Sequence, residues 1–174
     1  MAETVKVMIS EEDIDKRIAE MAKQISEDYA GKQIHMICVL KGGVFFMTEL
    51  AKRMTVPVSL DFMCAKSYGD STVSSGTLKI TKDLDDPIEG KEVLVVEDII
   101  DTGNTLTALM NYLANSGVAS LKLCTLLDKP ERREKKIESD YVGFTIPDAF
   151  VVGYGLDYAQ KYRNLPYIGV VEGV

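Results

Sequence analysis

Positive charge is in short supply in this chain. Twenty Lys and Arg face twenty-seven Asp and Glu across 174 residues, a formal net charge of −7, so the electrostatic footprint of a general phosphate-backbone binder is missing and nucleic acid is not the expected partner. A phosphate ligand on such a surface needs local help, from a divalent metal or from a nest of backbone N–H groups. Cysteine is scarce as well. Cys38, Cys64 and Cys124 are odd in number, far apart and set in apolar or alternating runs, a pattern that suits reduced, buried thiols better than a disulfide framework or a zinc site and points to a cytoplasmic protein. The first residues show no basic stretch followed by an apolar one, and no apolar run reaches bilayer length, so neither an export signal nor a membrane span is expected. Neither G-x-x-x-x-G-K-[ST] nor G-x-G-x-x-G occurs, which removes P-loop nucleotidases and Rossmann dehydrogenases. The single histidine, His35, stands inside an apolar run, where packing explains it better than catalysis.

What is present is ordinary globular material, 46% hydrophobic and 27% charged, of a length that predicts one domain over residues 1–174. Ser10-Glu11-Glu12-Asp13 has capping-box spacing, and Ile14, Ile18, Met21 and Ile25 then recur at helical intervals. Ile34 to Leu40 reads as a buried strand, followed by a tight Lys41-Gly42-Gly43 loop and a second helix from Val44 to Met54. Val58 to Cys64 alternates like a strand at an edge, and Ser67 to Asp83, poor in large apolar residues, reads as a mobile lid. Glu92 to Val96 is a strand, Glu97 to Gly103 an acidic loop, and Leu106, Leu109, Met110 and Leu113 line one face of a third helix. Leu121 to Leu127 and shorter segments at Tyr141 to Thr145, Phe150 to Val152 and Tyr167 to Val171 complete the strands. This order predicts an α/β fold with a central, mainly parallel sheet flanked by helices. Ligands of such sheets bind beyond the carboxyl ends of the strands, which singles out the loops at Lys41 and at Glu97 to Thr105.

The second loop combines opposed chemistries. Thr102-Gly103-Asn104-Thr105 opens a helix, and successive N–H groups, the helix dipole and two hydroxyls there would cradle a phosphate without Lys or Arg. Glu97, Asp98 and Asp101 just upstream would repel that phosphate unless they face sugar hydroxyls or a magnesium ion. A sugar phosphate satisfies both halves. Taken alone, Asp101, Thr102 and Asn104 are ordinary turn and cap residues; the carboxylate pair at a strand end shifts the balance to function.

Val95 to Leu106 resembles the phosphoribosyl-pyrophosphate signature of type I phosphoribosyltransferases, and the adjacent Glu97-Asp98 with Asp101 three further on resembles their 6-oxopurine branch. Leu40-Lys41-Gly42-Gly43 is similar to the family's pyrophosphate loop, Ser67-Tyr68 to its flexible-loop pair, Lys129 to its purine-reading lysine and Phe150 to Tyr158 to its hood, with Arg163 at the place of a pyrophosphate-contacting arginine. The resemblance implies the type I phosphoribosyltransferase-like fold, with a small hood built from the N-terminal and C-terminal segments and a lid at about 67–83. It implies transfer of a 5-phosphoribosyl group from phosphoribosyl pyrophosphate to hypoxanthine or guanine, giving IMP or GMP and pyrophosphate. Asp101 would be the general base. Lys41, Gly42, Gly43, Ser67, Tyr68, Glu97, Asp98, Thr102, Gly103, Asn104, Thr105, Lys129, Phe150, Val151, Asp157 and Arg163 would bind substrate. Mg2+ is the implied cofactor, with Glu97, Asp98 and Asp157 holding it directly or through water. A homodimer or homotetramer is implied too, with Val44-Phe45-Phe46-Met47 at the interface. Asn104 departs from members that carry Lys there, leaving more of the phosphate contact to backbone N–H groups. A nucleotide-binding regulator of the RNA-attenuator type on the same fold, and a phosphoacceptor domain using Asp98 or Asp101, are the competing classes; the first needs a basic face that the net charge opposes.

Overall fold

In the computed structural model, which describes residues 4–67 and 78–172, the chain runs through β1 (Thr4–Ile9), α1 (Glu11–Asp28), β2 (Ile34–Val39), α2 (Val44–Lys52), β3 (Val58–Ser67), β4 (Leu78–Lys82), β5 (Glu92–Ile100), α3 (Asn104–Ala114), β6 (Ser120–Asp128), a 3-10 turn (Pro130–Arg132), β7 (Tyr141–Thr145), β8 (Val151–Val152) and β9 (Ile168–Glu172). Six strands form the main sheet in the order β4-β3-β2-β5-β6-β7. All neighbours are parallel except β4, which runs antiparallel to β3.

The central strands are apolar on both faces because helices cover both. Leu94 and Val96 of β5 join Met36 and Cys38 of β2 on one face, under Ile14, Ile18, Met21 and Ile25 of α1 and Phe46, Met47 and Leu50 of α2. Val93 and Val95 turn with Ile37 and Val39 to the other face, under Leu106, Leu109 and Leu113 of α3. Each such side chain, fully buried, contributes roughly 1.5–3 kcal/mol. Ser10 starts α1 from an extended conformation and its Oγ accepts the Asp13 N–H at 3.1 Å, with Glu11, Glu12 and Asp13 placed at the positive end of the helix. His35 is a packed residue, 2% exposed, its Nδ1 2.7 Å from Ser59 Oγ; burial pushes the imidazole below its ordinary pKa. At the β7 edge, Arg17 of α1 donates to the carbonyls of Gly143 and Val142 at 2.9 and 2.7 Å, blocking an unpaired strand.

Three expectations are corrected. The edge is β4, outside β3, because Leu78 and Ile80 pair with β3 and pack under α3. Within the lid expected at 67–83, Leu78–Lys82 form a strand, while residues 68–77 lie outside the described residues. The acidic segment after Val96 continues β5 as far as Ile100, held by pairing of Glu97, Ile99 and Ile100 with β6. The hood expected from the N-terminal and C-terminal segments is present: Thr4–Ile9 is a strand, joined antiparallel to β9 and through it to β8 in a three-stranded sheet. All three cysteines are free. No helix among the described residues is long and apolar enough to cross a membrane.

Candidate active site

The parallel strands change direction of travel between β2 and β5: β2 continues through α2 to β3 on one side, and β5 through α3 to β6 on the other. Loops leaving the two strands diverge there and open a crevice at their carboxyl ends. From β2 comes Lys41-Gly42-Gly43, after a cis Leu40–Lys41 peptide. Gly42 needs to be glycine, since a Cβ there would collide with the Asp98 carboxylate, and Gly155 packs its backbone on the Gly42 carbonyl. Three elements thus converge on one point: the β2 loop, the acidic end of β5 and the hood.

On β5, Glu97 Oε1 accepts the Asp98 N–H at 3.0 Å and Asp98 Oδ1 accepts the Ile99 N–H at 2.7 Å. Burial, and for Glu97 the neighbouring Asp98 charge as well, pushes both carboxyls above their ordinary pKa, while Arg163 partly offsets this at Asp98. Asp101 and Thr102 then lead to Gly103, left-handed at φ 82°, the N-cap of α3. No acid stands in the first turn of α3 and Gly103 supplies no side-chain cap; only a long 3.4 Å bond joins the Asn104 N–H to Thr102 Oγ1. Residues 101–106, with Val39, Glu97, Ile99 and Ile100, line a cavity of about 150 Å³. Amides and a positive helix end beside a cavity are chemistry that suits an anion. Asp101 Oδ1 is buried without a hydrogen-bond partner; Arg132 Nε, at 3.5 Å, makes an ion pair with it but lacks hydrogen-bond alignment. Asn104, where the resemblance leaves more of the phosphate contact to backbone N–H groups, sends its side-chain Nδ2 to Glu134 Oε2 at 2.6 Å.

Lys129 follows β6. Its N–H donates to the Ile100 carbonyl at 3.0 Å, which sets it beside the residue preceding Asp101. Its side chain is 6% exposed, with Asp148 at 3.7 Å as ion-pair partner, so Lys129 is no solvated surface lysine, although it stands beside the charged run Glu131 to Lys136. Phe150 is 47% exposed and meets Tyr158 edge-on at 5.4 Å, whereas Val151 is buried in the hood, paired with Val170. Asp157 is tied by Oδ1 to Arg163 at 3.0 Å and by Oδ2 to the Gln160 N–H at 2.8 Å. Arg163 also donates to the Gly155 carbonyl at 2.7 Å and keeps a buried, unpartnered Nε. Ser67 ends β3, and its side chain and Tyr68 lie outside the described residues.

Several neighbours escaped sequence reasoning. Gln160 Oε1 accepts from Lys41 Nζ at 3.5 Å and from Arg163 at 3.4 Å, on a two-residue turn where Ala159 and Gln160 have φ of 51° and 66°. Such a turn ordinarily advertises itself by Asn-Gly, and here it does not. Arg132, Arg133 and Glu134 gave no signal beyond the charged run Glu131 to Lys136, and Asp148 stands alone among uncharged neighbours. Among the described residues no three of His, Cys, Asp and Glu are grouped as a ready-made metal cage. Magnesium asks for less: one or two carboxylates, with substrate phosphates and water completing its octahedron. Glu97-Asp98, two adjacent half-buried carboxyls on β5, would meet that requirement.

The model of the phosphoribosyl transferase domain matches residues 10–159, and the chain belongs to that family. Its relatives narrow the branch. The hypoxanthine phosphoribosyltransferase of Salmonella typhimurium is 51% identical over 173 residues, covering 98% of this chain and 97% of the relative. The bifunctional protein TilS/HprT of Listeria monocytogenes is 51% identical over 167 residues; 96% of this chain is covered but only 26% of that longer protein. A crystal structure of a hypoxanthine phosphoribosyltransferase from Staphylococcus aureus superimposes with a TM-score of 0.93 at 48% identity, covering 96% of this chain and 91% of that one. Within its family the chain falls in the hypoxanthine-guanine phosphoribosyltransferase branch.

Proposed function

We propose that the protein is a purine-salvage enzyme that transfers the 5-phosphoribosyl group of phosphoribosyl pyrophosphate to hypoxanthine or guanine, yielding IMP or GMP and pyrophosphate. The observation that carries this is the convergence of the Gly42 turn, the Glu97-Asp98 pair and the Gly155 hood turn beside an uncapped α3. A pyrophosphate-binding turn, a ribose-facing carboxylate pair and a phosphate nest are thereby within one substrate's span. The names of the relatives support the same reaction. In that reaction the bond from ribose C1 to the pyrophosphate oxygen breaks and a bond from C1 to a purine imidazole nitrogen forms. The site must therefore accept negative charge on one side and a proton on the other.

Residues 102–105 hold the 5-phosphate through N–H groups and hydroxyls. Lys41, Gly42, Gly43 and Arg163 hold the pyrophosphate; Ser67 and Tyr68 belong to the segment that covers it. Glu97 and Asp98 orient the ribose hydroxyls and, with Asp157, hold Mg2+, which when bound neutralises pyrophosphate charge. Asp101 accepts the proton from the purine nitrogen, a role suited to a carboxylate oxygen without a hydrogen-bond partner. Lys129 donates to the 6-oxo group, which an adenine amino group cannot replace as acceptor. Phe150 stacks on the base and Val151 offers its backbone near the purine 2-position. Of Val44-Phe45-Phe46-Met47, expected at the subunit interface, Phe46 and Met47 lie in the core and Phe45 is exposed; residues 1–174 act as one domain, in the cytoplasm, as a dimer or tetramer through the face that exposes Phe45, and mass measurement in solution tests that assembly. The activity is tested by following nucleotide formation from hypoxanthine, guanine, xanthine and adenine with Mg2+ and phosphoribosyl pyrophosphate. Product from the first two and none from adenine is expected; no product from any purine overturns the proposal.

A further inference from the structure

We propose that Arg133 is a positioning residue that locks the phosphate turn at residues 101–105 to the Lys129 loop, so that the sugar phosphate and the purine are read in one fixed relation; this rests on the function proposed above. The Arg133 guanidinium is spent on protein groups. Its Nε donates to the Asp101 carbonyl at 3.0 Å, one terminal nitrogen donates to the Ile137 carbonyl at 2.6 Å, and the other forms a tight ion pair with Asp128, the residue before Lys129. One planar group therefore joins the backbone of the base on the β5 loop to the last residue of β6. The chain around it completes a strap. After the 3-10 turn, the N–H groups of Glu134 and Lys135 both donate to the Thr102 carbonyl, at 2.9 and 3.2 Å. Gly103 packs under the same strap, where a Cβ would lie 2.7 Å from Ile137 Cγ2 and 3.2 Å from Arg133 Cδ. The Asn104–Glu134 bond fastens the far end of the turn.

The fork geometry makes the arrangement specific to arginine. Five N–H donors in a plane can reach two carbonyls and a carboxylate at once, whereas an ammonium concentrates its charge at one point. Arg133→Lys keeps the charge and loses the lock. Glu134→Ala removes only the tie to Asn104, so it loosens the phosphate turn and leaves the Asp128–Lys129 side held.

The test compares steady-state kinetics of the unmodified chain, Arg133→Lys and Glu134→Ala, together with amide hydrogen exchange of residues 101–105 and 128–129 without substrate. Arg133→Lys is expected to raise KM for both phosphoribosyl pyrophosphate and hypoxanthine, each on the order of tenfold, and to speed exchange in both segments. Glu134→Ala is expected to raise KM for phosphoribosyl pyrophosphate alone and to speed exchange in 101–105 alone. Full kinetic rescue by lysine, or exchange unchanged in both segments, overturns the lock. Should Arg133→Lys fail to fold, the one-sided effect of Glu134→Ala decides, and its absence overturns the lock as well. Lack of turnover by the unmodified chain counts against the proposed function and not against the lock, which the exchange data judge independently.

Discussion

The N-termini of α1 and α3 present the same physics put to opposite uses. At α1, Ser10 caps the Asp13 amide and three acidic side chains crowd the first turn, so the positive end of the helix is consumed by the chain itself. At α3, glycine stands at the cap and the first turn carries no acid. The α2 helix, which also leaves the crevice, starts on Gly43 without a side-chain cap. The helix that stabilises the fold is capped by a side chain; neither helix that opens the crevice has one, at the expense of the roughly 1 kcal/mol a cap supplies, and at α2 the Gly43 and Val44 amides turn back on the carbonyls of Val39 and Lys41.

The comparison can be broken most forcefully at the base. Asp101→Asn is expected to lower kcat by about 10²–10⁴-fold with little change in thermal midpoint, because the lost charge is paired only with Arg132 at 3.5 Å in a half-exposed ion pair of little worth; rates and melting curves check both halves. Next comes a transplant of the α1 logic onto α3. Gly103→Asp is expected to raise KM for phosphoribosyl pyrophosphate by ~10-fold or more over Gly103→Ala, which adds only left-handed strain and crowding, about 1–2 kcal/mol. Equal KM values in the two variants would show that the helix end does not meet a phosphate.

A smaller effect is expected at the carboxylate pair. Glu97 has its pKa raised above the ordinary carboxylate value, so the folded chain binds a proton that the unfolded chain releases. Stability on this account is highest below the ordinary glutamate pKa and falls as pH rises toward and through the raised one. Glu97→Gln should remove that loss, raising the melting temperature at pH 7.5 by roughly 2–4 °C for about 1 kcal/mol and flattening its pH dependence, while activity drops. The least effect belongs to Ser10→Ala, expected to cost about 1 kcal/mol in urea unfolding and to leave both KM values unchanged.

Much of the fold was legible because periodicity was strong where burial was complete. β2, β5 and β6 are solid apolar runs, and α1 shows its stripe from Ile14 to Ile25. β1 stayed hidden: Val5 and Val7 alternate with charge and exposure, and their partner lies at the far end of the chain. β4 was concealed within a stretch dominated by Ser, Thr and Gly, with only Leu78 and Ile80 to mark it. In the site, the phosphate turn showed itself through glycine and hydroxyl spacing, but Asp101 and Lys129 acquired roles only through family resemblance. Arg133 could not be picked out, since a guanidinium that bonds two backbone carbonyls leaves no partner pattern along the sequence.

The hood sheet sets an order of events for a newly made chain. Thr4 pairs with Glu172 and Val5 with Val171, so β1, made before the parallel sheet, has to wait for β9, which is made after it. Contacts between such distant segments carry the largest loop-closure cost and form late. The parallel sheet, with its phosphate turn, can assemble while the hood is still open, and hydrogen-exchange labelling during refolding should find β5 protected before β1. A nascent chain of this design would remain unable to close its hood until β9 had been made and had paired with β1.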